Sequence, residues 1–391
     1  MIRLFMNGAA ASAGGGLTYL RNVLPHLARR SDCHTSVLLS PELGREFVAL
    51  QNLAIVEMKD SSGALTRFAR EQRLLPKLIR QSGAQVLISA GNFALWNSPV
   101  PQVLLSRNSL YTSADFRRDL RARGRYSMLA DTLLKGWIAK QSIRRAEIAV
   151  APSRAFADDL EQWSGKPVLA LHHGFDGEAF ASGTGVLPAE ASIKLEQARD
   201  CLRLLLVSHY NYYRNFETLF RAMPILNHSL KGKVKLFLTC HLKSEKNPGS
   251  YRTDSALVVA DRFRDGENIV ELGAIPYSSL HHLYRACNIY VSPAYAESFA
   301  HPLIEAMSSG LPVVASDLRV HREICGDAAL FFPRFSPEEL AERILQIQAA
   351  PKLAETLANN GLRRARDFSW SGHVDQLVTM AAKLANSSGQ N

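Results

Sequence analysis

Residues 289–316 read IYVSPAYAESFAHPLIEAMSSGLPVVAS. The run Ile289–Ser292 is apolar and β-branched, which is typical of a buried strand. Pro302 suits the first turn of a helix, and a second apolar run follows Gly310. A strand, a helix and another strand in this order predict a βαβ unit of a parallel sheet.

The same alternation of short apolar runs and longer amphipathic segments extends along the whole chain. A first series predicts strands at 2–6, 35–39, 53–57, 85–89, 102–106, 147–151 and 167–171, with the clearest helices at 16–30 and 64–81. A second series predicts strands at 202–208, 234–240, 269–272, 288–292, 312–315 and 329–332, with helices near 216–224, 254–264, 277–286, 302–309, 337–348, 352–366 and 370–386. The sequence therefore predicts an α/β protein with two doubly wound, Rossmann-like domains that face each other across a cleft.

Length and composition agree with two domains. The chain has 391 residues, 47% of them hydrophobic, which is enough for two cores. Residues 177–200 are rich in glycine, proline and polar residues, which is typical of a linker. We predict an amino-terminal domain at 1–180, a linker at 181–200, a carboxyl-terminal domain at 201–368, and a last helix with a disordered tail at 369–391.

Positive charge is concentrated in the first half of the chain. The formal net charge is +10, and residues 1–176 hold 23 Lys and Arg against 14 Asp and Glu. The densest basic stretch runs from Arg117 to Arg145. It predicts attraction to phosphate-bearing substrates or acidic lipid headgroups, with an ordinary solvated helix face as the alternative. Nucleic acid is not an expected partner, because no binding motif accompanies the charge.

Residue patterns exclude several other classes. Five widely spaced cysteines without a CxxC pair argue against a disulfide framework or a zinc site. Twelve histidines without an HExxH motif argue against a metal site built by the protein. No apolar stretch approaches the roughly 20 residues that span a bilayer, and the first residues lack a signal-peptide pattern. We therefore expect a cytoplasmic protein without a metal.

A glycine loop follows the first predicted strand. Gly14, Gly15 and Gly16 directly precede an apolar helix. Glycines at a helix start let the backbone approach a ligand closely, and free amide groups there favour an anion. The loop is neither GxGxxG nor a Walker loop, so a tight structural turn explains it about as well.

Two glutamates flank the start of the helix that Pro302 begins. Glu297 is predicted in the loop before the helix, and Glu305 about one turn inside it. These carboxylates can accept hydrogen bonds from a sugar ring on one side and a ribose on the other. Amide groups near Phe299 to Leu303 are predicted to point at a diphosphate between them.

This stretch resembles the E-x7-E region of the retaining family 4 glycosyltransferases, which have the two-domain GT-B fold. The resemblance implies that Glu297 contacts the donor sugar and that Glu305 binds the ribose hydroxyls. It also implies that the glycine loop lies on the phosphate and acceptor side, and that Gly273 and Ala274 lie beside the base. In GT-B proteins the last helix, here after Phe368-Ser-Trp370, crosses back to the first domain.

The sequence departs from the family pattern in several places. Ser298 and Ala300 replace the glycines of the usual Glu-Gly-Phe-Gly. Ser208-His209 stand where the family has Gly-Arg, and Arg214-Asn215 stand at the family's lysine. Arg214 keeps a cation, and its forked guanidinium suits a phosphate.

Many relatives have a histidine near the donor sugar after the strand at 102–106, where this chain has Ser106-Arg107-Asn108. We predict that Arg107 or Asn108 faces the reaction centre, with a loop cap as the alternative. Taken together, the predicted catalytic residues are Glu297, Arg214, Arg107 and Asn108. The predicted donor-binding residues are Gly15, Gly16, His209, Arg214, Asn215, Gly273, Ala274, Ser298, Phe299, Ala300, His301, Leu303 and Glu305.

The resemblance implies transfer of a sugar from a UDP or GDP sugar to a hydroxyl group, with retention and without a cofactor. The implied acceptor is a glycan or a lipid-linked glycan of a cell-surface polysaccharide or glycolipid. The basic stretch would then hold the enzyme on the inner face of an anionic membrane. Two alternatives remain open: a nucleotide-sugar 2-epimerase of the same fold, and a catalytically silent sugar-nucleotide binder.

Overall fold

The structure is a computed structural model that describes residues 1–11, 14–50, 52–58, 63–243 and 268–388. Backbone contacts divide the chain into two compact units. The first unit comprises Met1–Ser113, Leu120–Gly174 and Ser369–Asn391, and the second comprises Ala114–Asp119 and Phe175–Phe368.

The first unit contains a parallel sheet, with seven strands among its described residues. They are β1 (Ile2–Asn7), β2 (Cys33–Leu39), β3 (Leu53–Glu57), β4 (Val86–Ser89), β5 (Gln102–Leu105), β6 (Ile148–Ala151) and β7 (Val168–Ala170). Their order across the sheet is β3-β2-β1-β4-β5-β6-β7, so the order reverses between β1 and β4. In open parallel sheets, ligands bind beyond the strand ends at such a reversal.

Helices cover this sheet. They span Gly14–Ala28, Pro41–Arg45, Ala64–Ser82, Tyr126–Arg145, Arg154–Ser164 and Trp370–Ser388, and a short 3₁₀ turn spans Ser109–Tyr111. The helix Ala114–Ala122 begins among the residues that group with the second unit. The last helix packs on the first one, where Leu377 and Val378 join Leu20 and Val23 in one hydrophobic core.

The second unit repeats the plan with a six-stranded parallel sheet in its described part. Its strands are β8 (Leu202–Leu206), β9 (Val234–Leu238), β10 (Ile269–Glu271), β11 (Ile289–Ser292), β12 (Val313–Ser316) and β13 (Ala329–Phe332). Their order is β10-β9-β8-β11-β12-β13, so the reversal lies between β8 and β11. Helices span Gly177–Ala181, Ala189–Gln197, Phe216–Ser229, Tyr277–Arg285, His301–Ser308, Arg319–Cys325, Pro337–Ala349 and Pro351–Ala365, with a 3₁₀ turn at Tyr212–Arg214.

Most strand residues are apolar because helices cover both faces of each sheet. In β11 and β12, for example, Val291, Val313 and Val314 are fully buried. Side chains on both faces of such strands avoid water, which explains why short continuous apolar runs predicted the strands.

The predicted fold class is confirmed: both units are doubly wound α/β structures. The helix predicted at 254–264 lies outside the described residues. The predicted linker at 181–200 contains the helix Ala189–Gln197, whose Ala191 and Leu195 are buried. The last helix extends to Ser388, two residues beyond the predicted end at 386, so the disordered tail predicted after it does not include residues 387 and 388; 389–391 lie outside the described residues. The domain boundaries stay predictions.

Within the residues described, none of the helices combines the length and the apolar character that crossing a membrane requires.

Candidate active site

Glu297 and Arg214 meet at the reversal point of the second sheet. Arg214 lies in the connection after β8, and Glu297 lies in the loop after β11. The guanidinium Nη1 donates a hydrogen bond to Oε1 of Glu297 over 2.5 Å, and both side chains are largely buried. Parallel strands expose their carboxyl ends at the same edge, and loops that diverge there leave room for a ligand. The structure therefore brings two of the predicted catalytic residues together.

Asn215 holds the loop that carries Arg214. It adopts a left-handed backbone conformation with φ of 55°, which asparagine tolerates better than most residues. Its side-chain Nδ2 donates hydrogen bonds to the carbonyls of Pro293, at 3.0 Å, and Arg334, at 2.6 Å. The predicted donor-binding residue Asn215 thus ties together the loops after β8, β11 and β13.

Arg214 supplies the positive charge of the site. Burial disfavours its charged form, but the carboxylate of Glu297 more than compensates and raises the pKa of the guanidinium. Its Nε is buried and has no hydrogen-bond acceptor among the described residues. A donor left without an acceptor costs free energy, which an anionic ligand can recover.

His209 is neutral at pH 7. Desolvation and the positive charge of Arg214 lower the pKa of its imidazole to about 4. Where the family has an arginine, this chain therefore has an uncharged ring. A negative leaving group in this unit would depend on Arg214 for its neutralisation.

The loop between Glu297 and the helix His301–Ser308 keeps a glycine-like backbone without a glycine. Ala300, at the position of a family glycine, has φ of 69°, a left-handed conformation that alanine adopts at a cost. Phe299 is buried against Phe368, with ring centroids 5.7 Å apart. Its side chain thus anchors the loop.

One predicted role in this loop is wrong. The amide of Leu303 donates to the carbonyl of Ala300 at 3.1 Å, so it does not point at a ligand. Leu303 itself is a core residue. The first turn of a helix often satisfies an amide locally in this way. Ser298 and His301 are half-buried in the same loop and helix start.

Glu305 is a buried carboxylate on the core side of the same helix. Tyr284, on the neighbouring helix Tyr277–Arg285, donates its hydroxyl to Oε2 of Glu305 at 2.8 Å. Burial raises the pKa of Glu305 to about 7, although the Tyr284 hydrogen bond acts in the opposite direction. Near neutral pH this group can accept protons or hydrogen bonds readily, which suits a contact with hydroxyl groups.

Tyr290 links the two glutamates electrostatically. It is a buried residue of β11, and its ring lies 5.7 Å from that of Tyr284. Burial raises the pKa of its hydroxyl, and the charges of Arg214, Glu305 and Glu297 all act on it. Arg214, Glu297 and Glu305 therefore all lie near enough to this one tyrosine for their charges to act on it.

Gly273 and Ala274 follow β10. Gly273 has φ of 73°, and a β-carbon there would lie 2.6 Å from Nε2 of His241. Glycine adopts this left-handed conformation without strain, whereas a β-carbon would also force the His241 ring to move. Ala274 is exposed beside it. The described residues show why position 273 needs a glycine, and the contact with a base stays a prediction.

In the first unit, Arg107 joins the glycine segment at the other reversal point. Its guanidinium donates to the carbonyls of Gly15, at 3.4 Å, and Ala90, and lies 4.7 Å above the ring of Tyr19. A β-carbon on Gly16 would meet Ala11 at 3.4 Å, whereas the space at Gly15 is open. Burial lowers the pKa of Arg107. Arg107, Gly15 and Gly16, three of the predicted site residues, thus lie close together beyond the ends of the first-unit strands.

Asn108 has a structural role in the same loop. Its Oδ1 accepts a hydrogen bond from the amide of Leu110 at 3.1 Å and caps the 3₁₀ turn. This is the cap that the sequence left as an alternative. Its catalytic role stays a prediction.

Several residues of the site carried no sequence signal. Tyr284 and Tyr290 look like ordinary core aromatics in the sequence, and His321 looks like a helix residue. His321 is fully buried with Nδ1 near Ser316 Oγ at 3.0 Å, and burial lowers its pKa to about 4. Only the packing of Arg319–Cys325 against β12 places this neutral ring near the charges of Glu297 and Arg214.

Across the described part of the chain, no three His, Cys, Asp or Glu side chains come together as ligands for a metal ion.

Comparison with known proteins shows what the segment that carries this site is similar to. Residues 190–364 match the model of the "Glycosyl transferases group 1" family. This segment, somewhat less than half of the chain, is therefore similar to the group 1 glycosyl transferases. The match includes the ion pair Glu297–Arg214 and Glu305, so these three residues lie inside the segment that is similar to this family.

Two curated relatives show how far the likeness extends. The chain is 35% identical to the O-antigen chain mannosyltransferase B of Escherichia coli over 107 residues. This matched segment covers 27% of this chain and 28% of the relative. It is 25% identical to the D-inositol 3-phosphate glycosyltransferase 1 of Catenulispora acidiphila over 243 residues. That matched segment covers 61% of this chain and 57% of the relative. The matched segments thus span from about a quarter to three fifths of these relatives.

Solved structures show the fold over the full length. The sucrose-phosphate synthase of Thermosynechococcus elongatus matches with a TM-score of 0.75 at 17% identity, covering 99% of this chain and all of that one. HepE of Anabaena, solved in complex with UDP, matches with a TM-score of 0.73 at 16% identity, covering 98% of this chain and 100% of that one. At such identities the likeness shows the fold, which is the predicted GT-B class.

Proposed function

We propose that this chain transfers a sugar from a nucleoside diphosphate sugar, of the UDP or GDP type, to an acceptor hydroxyl with retention of the anomeric configuration. The observation that carries the proposal is the Glu297–Arg214 ion pair at the reversal point of the second sheet, with Glu305 behind it. The family of residues 190–364 supports the reaction class, and the UDP bound to HepE supports the donor class.

The charges of the site suit the chemistry of such a transfer. Breaking the bond between sugar and diphosphate leaves negative charge on the diphosphate and positive charge on the sugar ring. Arg214 would neutralise the diphosphate through its free Nε, together with the positive end of the helix His301–Ser308. Glu297 would hold Arg214 in place and accept hydroxyl groups of the donor sugar, while Glu305 would accept those of the ribose.

The proposed role is synthesis of a cell-surface polysaccharide or glycolipid. One relative is named an O-antigen chain mannosyltransferase, which supports a glycan acceptor. A binding screen can identify the donor sugar and its base. We expect one of UDP-, GDP-, ADP- or TDP-linked sugars to raise the melting temperature selectively, because a ligand at a hundred times its Kd adds about 2.7 kcal/mol to the stability.

The same screen separates the three hypotheses when it is followed by product analysis. A transferase incubated with its donor alone hydrolyses the donor only slowly and transfers the sugar when an acceptor is added. An epimerase converts the donor without an acceptor. A silent binder shows the thermal shift and no conversion in either case. The absence of any shift with all four donor classes would contradict the proposed function.

We also propose that the acceptor lies at an anionic membrane surface. The helix Tyr126–Arg145 exposes four large apolar side chains on one face, Tyr126, Leu133, Leu134 and Trp137, each about half exposed or more. Residues 117–145 hold nine Lys and Arg against two Asp and Glu. Exposed apolar residues beside a basic stretch are typical of helices that lie in the membrane interface.

Vesicle sedimentation at low salt tests this surface. We expect binding to vesicles that contain phosphatidylglycerol and little binding to phosphatidylcholine alone, because each basic residue near the surface contributes about 1 kcal/mol. The double variant Leu133→Ser/Leu134→Ser should lower the partition coefficient about tenfold or more, since two inserted side chains are lost. Ile193→Ser, which changes a similarly exposed residue of the second unit, is the matched control. Equal recovery of the protein with neutral and anionic vesicles would refute the proposed binding to anionic membranes.

A further inference from the structure

Six residues from the first half of the sequence group with the second unit. They are Ala114–Asp119, the first part of the helix Ala114–Ala122. The rest of the second unit begins only at Phe175, so this segment joins a unit that is otherwise built from later residues. We call residues 114–119 the docking segment.

The docking segment makes an ion pair with the loop after β13. Oδ2 of Asp115 lies 2.8 Å from Nε of Arg334, and both side chains are at least half-buried. Arg334 also pairs with Asp317 at 3.1 Å. One guanidinium therefore joins two carboxylates, which limits the orientations that Arg334 can adopt.

Two further contacts reach the loops after β8 and β11. The ring of Phe116, which is buried, meets the ring of Tyr213 edge to face with centroids 6.4 Å apart. The hydroxyl of Tyr295 donates to Oδ2 of Asp119 at 2.7 Å, and Tyr295 is also buried. The three contacts of the docking segment thus fall on three different loops.

Each contacted residue adjoins the ion pair of the site. Tyr213 precedes Arg214, whose guanidinium lies 4.9 Å above the Tyr213 ring. Tyr295 stands two residues before Glu297, and its amide donates to the carbonyl of Tyr213 at 2.9 Å. The carbonyl of Arg334 accepts from Asn215, the residue after Arg214.

We infer that Asp115, Phe116 and Asp119 are positioning residues for the Glu297–Arg214 pair. The docking segment bridges the three loops whose mutual arrangement sets the distance between the two charged groups. Displacement of a catalytic group by about an ångström is enough to slow a reaction strongly. This inference rests on the proposed function, since it assigns the docking segment to the geometry of the same site.

The bond between Tyr295 and Asp119 is the sharpest place to test it. Tyr295→Phe removes only the hydroxyl and keeps the ring, which also packs against Phe335. Asp119→Asn removes the charge with little change of volume. Asp131→Asn, on an exposed pair with Lys135, is the matched control.

We expect each of the two single variants to lower kcat about tenfold, with a smaller change in the KM for the donor and a melting temperature that falls by only a few degrees. Their double variant should be no slower than the worse single variant, because both remove the same hydrogen bond. A purely structural role would lower the melting temperature and would leave kcat unchanged at a temperature where the protein stays folded.

Three results would overturn the inference. Single variants with kcat within about twofold of the parent, or losses that multiply in the double variant, would show that the bond does not position the site. If kcat fell only at temperatures where the variant unfolds, the bond would serve stability and would not position the site. A parent that neither binds nor converts any nucleotide sugar would instead contradict the proposed function, and the inference with it.

Discussion

Replacing Glu297 by glutamine is expected to lower turnover about a hundredfold to a thousandfold, the usual cost of removing a preorganised charged group from an active site. The amide keeps the shape of the side chain but removes the negative charge that fixes Arg214 at 2.5 Å. Arg214 would then point less consistently at the departing diphosphate. Donor affinity should change less than turnover, because the diphosphate still meets the guanidinium. Steady-state kinetics with the donor found in the thermal screen measure both.

Stability must be separated from catalysis in this experiment. Loss of one partner of a buried ion pair destabilises a protein by about 3–5 kcal/mol, because the other charge stays buried without a partner. The double variant Glu297→Gln/Arg214→Gln removes both charges and should recover much of that stability, yet stay inactive. Glu190→Gln, in an exposed pair with Lys194, is the control for the substitution itself. Turnover near the parent value in Glu297→Gln would refute the assignment of this carboxylate.

Replacing Glu305 by glutamine is expected to weaken nucleotide binding about tenfold to a hundredfold, since hydrogen bonds to a charged group contribute about 1.5–3 kcal/mol. The pKa of about 7 for Glu305 makes this effect depend on pH. Ribose hydroxyls donate best to the ionised carboxylate, so nucleotide affinity of the parent should rise from pH 6 to pH 8. The affinity of the glutamine variant should stay level over the same range. Calorimetric titration with the nucleoside diphosphate sugar measures both curves, because its diphosphate, esterified at both ends, keeps a constant charge from pH 6 to pH 8.

The raised pKa of Glu305 also predicts how the stability of the folded protein depends on pH, which is an independent control on folding. The carboxylate ionises near pH 4.5 in the unfolded chain and near pH 7 in the folded one, so the folded state holds the extra proton between these values. The contribution of Glu305 to stability therefore falls as the pH rises through that window. Glu305→Gln removes this loss, and its melting temperature at pH 8 should not lie below that of the parent. Parent and variant affinities that share one pH profile would argue against a ribose contact.

Local patterns predicted much of the fold because its physical causes are local. A strand covered on both faces, such as β12 with Val313 and Val314, is apolar at most positions, and that run is visible in the sequence. The short helix Ala189–Gln197 was not predicted, because it follows Pro188 in a stretch whose glycine content resembles a loop. The two helices that carry the basic region were not located either, since exposed apolar residues such as Leu133 and Trp137 blur the amphipathic pattern.

Recognition of the E-x7-E pattern predicted Glu297, Glu305 and Arg214, and in the structure the charges of all three act on the buried Tyr290 of β11. It could not predict the partner of Glu305, because Tyr284 lies on another helix and shares no spacing rule with it. Nor could the pattern show that the amide of Leu303 already donates a hydrogen bond to the carbonyl of Ala300.

By itself the sequence determined the succession of strands and helices, the doubly wound class and the carboxylates of the site. The strands, the helices and the fold class depend on side-chain polarity within windows of a few residues, whereas the resemblance to a known family pointed to the carboxylates. Only the tertiary structure decided that Tyr284 holds Glu305, that Arg107 joins the glycine segment, and that Asp115 and Asp119 brace loops more than a hundred residues away. Such contacts form where distant strands end at one edge, so their partners are chosen by the order of strands in the sheet rather than by neighbouring residues.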